Sequence, residues 1–145
     1  MSYQFDETLF LGNEEIDRHH GAIFEQYDRL TDAVQREDMA LIREELAKII
    51  SSCSGEHVAT EERLMEEYAY PQIDSHRQAH RDLDRVISSL TDRIDHDGCT
   101  VEIAKEAVEF LFRYVVGHIN TFDLELASYI SYVIGTMTTL NKFSR

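Results

Sequence analysis

A chain of 145 residues fits one domain with room for a real core, and 43% hydrophobic content places it among globular rather than disordered chains. A formal charge of −14 leaves no clustered cations to grip the phosphates of nucleic acid, and it opposes docking on an anionic membrane surface. Cys53 and Cys99 are too few for a disulfide framework or a thiolate cluster, which leaves imidazole and carboxylate as the available metal ligands.

No run of about 18 apolar residues occurs, and Met1 to Asp6 lacks a basic region followed by an apolar stretch, so a cytoplasmic protein without membrane span or secretory leader is expected. One proline and six glycines favour long helices over many short strands.

Residues 1–15 carry Tyr3, Phe5, Leu9, Phe10 and Leu11 without helical period and read as an N-terminal arm. Asp17 is placed to cap a first helix over about 17–37, with Ile16, His20, Ile23, Phe24, Tyr27, Leu30 and Val34 on its inner face. A second helix over about 39–67 repeats Ile42, Leu46, Ile49, Cys53, His57, Glu61 and Leu64, so a glutamate occupies a position where the period demands burial. Glu62, Glu66 and Glu67 fall on other faces and read as solvated. Gly55 weakens this helix by about 1 kcal/mol relative to alanine.

Pro71 restarts the chain into a third helix over about 72–95, whose stripe includes Ile73, His76, His80, Leu83, Ile87 and Leu90. His96 falls in the loop after it and is expected to be exposed. Thr100 caps a fourth helix carrying Ile103, Ala107, Leu111, Val115, His118 and Phe122. Residues 129–145 keep an apolar series and form a C-terminal helical extension. It reads as an extra helix packed on the bundle in preference to a self-association surface.

Four amphipathic helices with short connections predict an all-α, antiparallel up-down-up-down four-helix bundle in a single domain spanning 1–145. His20 lies early in the first helix, His57 late in the second, His76 early in the third and His118 late in the fourth. In such a bundle those four levels coincide. Burying five histidines with Glu61 and Asp123 would cost several kcal/mol per uncompensated group, roughly, and a shared metal centre compensates them together.

If His76, His80 and His118 bind one ion and His20 and His57 another, two carboxylate bridges and one solvent-derived bridge fill all but one position of two six-coordinate ions. The open position falls on the two-histidine ion. Iron suits such a donor set, with manganese or zinc as competitors. The chain lacks the Glu-x-x-His motifs of carboxylate-rich di-iron enzymes, and richer imidazole ligation favours reversible binding over oxygen cleavage. Asp123 stands five residues after His118, about 140° around a regular helix, so a π-type turn is required to bring both to one site.

Asp17-Arg-His-His20, His57-x-x-x-Glu61, His76-x-x-x-His80 and His118-x-x-x-x-Asp123 together resemble the ligand signature of the bacterial hemerythrins, over about residues 5–130. The resemblance implies an oxo- or hydroxo-bridged pair of iron ions held by His20, His57, Glu61, His76, His80, His118 and Asp123, with O2 as the ligand at the open iron. Departures from the family are His19 where glutamine is usual, Phe5 and Tyr114 in place of tryptophans, and Val115 where a leucine lines the oxygen pocket. Valine is smaller, so a looser pocket and faster autoxidation are expected.

The resemblance points to oxygen carriage, storage, delivery or sensing by a non-enzyme, with a di-iron oxidase or peroxidase acting on O2, peroxide or NO as the alternative and a metal store as a third. A chain holding only this domain favours storage or delivery over sensing. A monomer or weak homo-oligomer is expected.

Overall fold

The computed structural model describes residues 9–143, which are helical without any strand. Its helices are α1 (Glu14–Gln35), α2 (Met39–Ser54), α3 (Glu56–Glu67), α4 (Ile73–Asp97), α5 (Val101–His118) and α6 (Leu124–Phe143), with a π turn (Ile119–Asp123) joining the last two. α2 and α3 form one rod and α5, the π turn and α6 another. With α1 and α4 they make the expected four-rod bundle, its neighbours alternating in direction across short connections. Among the described residues no helix is long and apolar enough to cross a membrane.

Local chemistry sets the boundaries. The Asn13 side chain, not Asp17, caps α1 by accepting from the Ile16 amide, so the helix begins at Glu14 and the N-terminal arm ends sooner than expected. Asp17 instead folds the arm back, accepting from the Leu11 amide at 2.7 Å and the Gly12 amide at 3.0 Å. Tyr3 and Phe5 lie outside the described residues.

The long second helix is interrupted at Gly55, whose backbone (φ −97°, ψ −121°) leaves the helical region. A Cβ there would stand 3.0 Å from the Ser51 carbonyl oxygen, so the crowding comes from the preceding turn of its own rod rather than from a neighbouring helix. After α3 the chain turns at Ala69, whose φ of 48° lets the Tyr70 amide reach back to the Met65 carbonyl and turns Tyr70 into the core. Thr100 caps α5 as expected. His96 rides the last turn of α4 and is 87% exposed.

Two apolar clusters fill the interior. The larger is built on Leu30, Ile42, Ile49, Ile87, Ala107 and Leu111, and the smaller on Ile16, Leu64, Met65, Leu126 and Ile130. Every rod passes from one cluster to the other through a polar stretch. Cys53 closes the large cluster one turn before His57, and burial pushes its thiol up to about 12, as befits a small core residue.

The C-terminal extension departs from expectation. It is the unbroken continuation of α6 rather than a separate helix packed on the bundle, and beyond Ile130 none of its described residues is buried. Several of its apolar side chains are exposed, among them Ile134 at 49% and Met137 at 59%.

Candidate metal centre

The polar layer between the two clusters collects all seven sequence-predicted ligands. His20 comes from α1, His57 and Glu61 from successive turns of α3, and His76 and His80 from successive turns of α4. His118 ends α5 and Asp123 ends the π turn. The i, i+4 pairs share a helix face automatically. The i, i+5 pair does so because the wide π turn absorbs the extra residue, leaving His118 Nε2 2.9 Å from Asp123 Oδ1.

These side chains are as buried as any core residue, from 0% exposed for His20 and Asp123 to 8% for His118. They form two groups, Glu61 with His76, His80, His118 and Asp123, and Glu61 with His20, His57 and Asp123. Within each, one donor atom per residue lies within 4.8 Å of all the others. Both carboxylates are common to the two groups, and each turns a different oxygen to each side. Glu61 Oε2 stands 3.2 Å from His76 Nε2 and 3.0 Å from His80 Nε2, while Oε1 stands 3.0 Å from His57 Nε2 and 3.4 Å from His20 Nε2. Asp123 Oδ1 is 3.0 Å from His76 Nε2, and Oδ2 is 2.9 Å from His20 Nε2 and 3.7 Å from His57 Nε2.

Of these contacts, those of Glu61 Oε2 with His76 Nε2 and His80 Nε2 are directed as hydrogen bonds, and the others are not. His20 Nε2, His57 Nε2, His118 Nε2, Glu61 Oε1 and both Asp123 oxygens are buried without a properly directed partner. Buried polar atoms are normally satisfied, so a layer of orphans aimed at two common points is an arrangement waiting for positive charge. A pair of cations fits it.

Without a cation, protons supply that charge. Burial opposes ionisation of His57, yet the facing Glu61 and Asp123 carboxylates overcome it and lift His57 to about 10. The same contest, won by Asp123 and Glu61, raises His76 to about 9 and also raises His20. Glu61 and Asp123 are held well below the ordinary carboxylate range: burial and their mutual repulsion work against that, but the surrounding imidazoles prevail. Cation binding must therefore displace protons from the histidines.

Tertiary contacts around the polar layer add what helical period alone does not show. Glu62, expected to be solvated, is only 34% exposed and lies 3.2 Å from His80 Nδ1, where a carboxylate fixes the tautomer that leaves Nε2 free to ligate. Arg77 links Glu62 to Glu66, which holds that carboxylate from the solvent side. Phe122 stacks on His118 with ring centroids 5.4 Å apart, and Tyr70 meets the His76 ring edge-on at 6.4 Å. His19 points away from the centre and pairs with Thr60 Oγ1 at 3.2 Å, tying α1 to α3. Val115 is buried in the large cluster one turn before His118.

The profile of the Hemerythrin HHE cation binding domain matches residues 11–130. A myohemerythrin of Theromyzon tessulatum is 25% identical over 123 residues, covering 85% of this chain and 89% of its own length. A bacteriohemerythrin of Pseudomonas aeruginosa is 28% identical over 138 residues, covering 95% of this chain and 86% of its own. With that match lying across all four rods and all seven residues of the polar layer, the chain belongs to the hemerythrin family.

Proposed function

We propose that the chain binds O2 reversibly at a pair of iron ions, for oxygen carriage, storage, delivery or sensing. His76, His80 and His118 would hold one ion and His20 and His57 the other, with Glu61 and Asp123 shared. The observation that carries this reading is the asymmetry of the two groups, three imidazoles against two around the same pair of carboxylates. Equal carboxylate sharing with unequal imidazole count leaves the two-histidine side short of a ligand, and a small molecule can take that place. A reduced iron pair held there would supply the electrons that O2 takes up on binding and gives back on release.

The chain's own residues set the conditions. The apolar clusters on either side of the polar layer exclude water from it, which protects a reduced centre. The buried imidazoles and carboxylates at this level are themselves the ligands. Among the described residues the other buried carboxylate is Glu45 on α2, whose Oε1 pairs with Lys48. Oxygen cleavage needs delivered protons, so a layer whose titratable groups are committed to ligation favours binding over turnover. Val115, smaller than leucine, would line the O2 pocket and leave it looser.

Anaerobic loading with ferrous iron, followed by optical spectra before O2, after O2 and after evacuation, tests the reading. Two irons per chain and a colour that vanishes under vacuum over repeated cycles are expected. A preparation that takes up only zinc, or one whose colour bleaches irreversibly while added peroxide and reductant are consumed catalytically, would overturn it in favour of a metal store or an oxidase.

A further inference from the structure

We propose that the free end of α6 is a self-association helix, pairing antiparallel with the same helix of a second copy of this chain. Leu126, Ile130, Val133, Met137 and Leu140 follow one another at alternating intervals of four and three residues, the spacing of a coiled-coil seam. The first two are buried in the small apolar cluster at 0% and 2% exposure. The seam then runs on past the bundle, with Met137 59% and Leu140 61% exposed. A packed seam thus continues, in register, into solvent.

The helix is prepared for burial on its flanks as well. Ile134, Thr136, Asn141 and Phe143 border the seam and carry no charge, so nothing there repels a partner helix. Thr136, Thr138 and Thr139 donate their hydroxyls to the carbonyls of Tyr132, Ile134 and Gly135 at 2.9–3.0 Å, so these polar groups are satisfied before any partner arrives. Phe143, 83% exposed, adds aromatic surface beside the seam.

Charge selects the occupant and its direction. From Leu126 to Phe143 there is no acidic residue and one cation, Lys142, in a chain of net charge −14. Two copies of so acidic a chain repel each other, and this stretch adds no acidic charge to that repulsion. A two-fold pairing makes the same patch serve both partners. The stretch from Ser131 to Phe143 spans about 20 Å at a rise of about 1.5 Å per residue, so antiparallel pairing over it holds the acidic bundles apart by more than the Debye length of about 8 Å at physiological salt. Parallel pairing would place them side by side.

Sedimentation equilibrium of the full chain across micromolar to sub-millimolar concentration tests this. The expected mass rises from one chain, 16.9 kDa, to twice that value. Met137→Lys and Leu140→Lys should weaken the dimer by roughly tenfold or more, because each buries a charge in the seam. Thr138→Lys, off the seam, should leave the dissociation constant within about twofold, with helicity by circular dichroism unchanged in all three. Lysine reduces the net negative charge, so simple relief of repulsion predicts tighter association instead. A monomer at every concentration, equal weakening by Thr138→Lys, or a monomer that floats with neutral phosphatidylcholine vesicles would each overturn the proposal, the last by naming a lipid surface as the occupant.

Discussion

The large apolar cluster and the polar layer beside it are equally buried, yet they are held together by different means. Leu30 and Ile42 are 0% exposed, and so are His20 and Asp123. The first pair is stabilised by burial itself, at about 25 cal/mol per Å² of apolar surface removed from water. The second pair gains nothing from leaving water and has orphaned atoms to show for it. One region is complete as a folded chain. The other is completed by cations, or in their absence by protons.

Breaking the shared ligands should separate the regions most. Asp123→Ala removes a carboxylate common to both groups, so affinity for both ions should fall by more than about 100-fold, the upper end of what even outer-shell changes cost. Elemental analysis after desalting checks this, and two retained irons per chain would refute the shared role.

The pH dependence of the metal-free protein comes next. His57 and His76 titrate near 10 and 9 when folded, above the ordinary 6.5. Their contribution is therefore complete below about pH 6.5 and is lost as pH rises through 9 to 10. Glu61 and Asp123, held below 4.5 and 3.8, stabilise above those values and lose that contribution as pH falls through their depressed folded values. Iron-loaded protein needs neutral imidazoles and should lack the alkaline loss. Thermal unfolding from pH 6 to 10, with and without iron, reads the difference, and superimposable profiles would refute it.

Leu30→Ala probes the apolar side alone. It should cost about 2–5 kcal/mol in urea unfolding while iron stays at two per chain in the folded protein. Glu62→Gln works at the boundary, since it keeps the shape but weakens the hold on His80 Nδ1. A loss of iron affinity of about 10–100-fold is expected, read by competition with a chelator. The smallest effect belongs to Val115→Leu, which should lengthen the lifetime of the oxygenated form by narrowing the pocket. An unchanged lifetime would mean that Val115 does not govern solvent access.

The polar layer was legible in the sequence because helical period and ligand chemistry make the same demand there. His57 and Glu61 fall on an apolar stripe, where burial demands that something compensate them. The five-residue step from His118 to Asp123 even required the π turn, which is present at Ile119–Asp123. What escaped was set by tertiary contact. Glu62 looked solvated because its own helix places it off the stripe, and only the approach of α4 brings His80 to it. Tyr70 is carried inward by the left-handed Ala69, a conformation that alanine does not advertise. Asn13 displaced Asp17 as the α1 cap because Asp17 is more useful holding the arm, a choice between two competent caps that spacing cannot make. The extension is helical as expected but not packed on the bundle, because an apolar stripe does not say how far the neighbouring rods reach.

An anomalous-difference map from iron-loaded crystals tests the central claim most directly. Two peaks per chain are predicted, one at coordination distance from His76, His80 and His118, the other from His20 and His57, with Glu61 and Asp123 touching both. A single peak, or two peaks that do not share those carboxylates, would contradict the account.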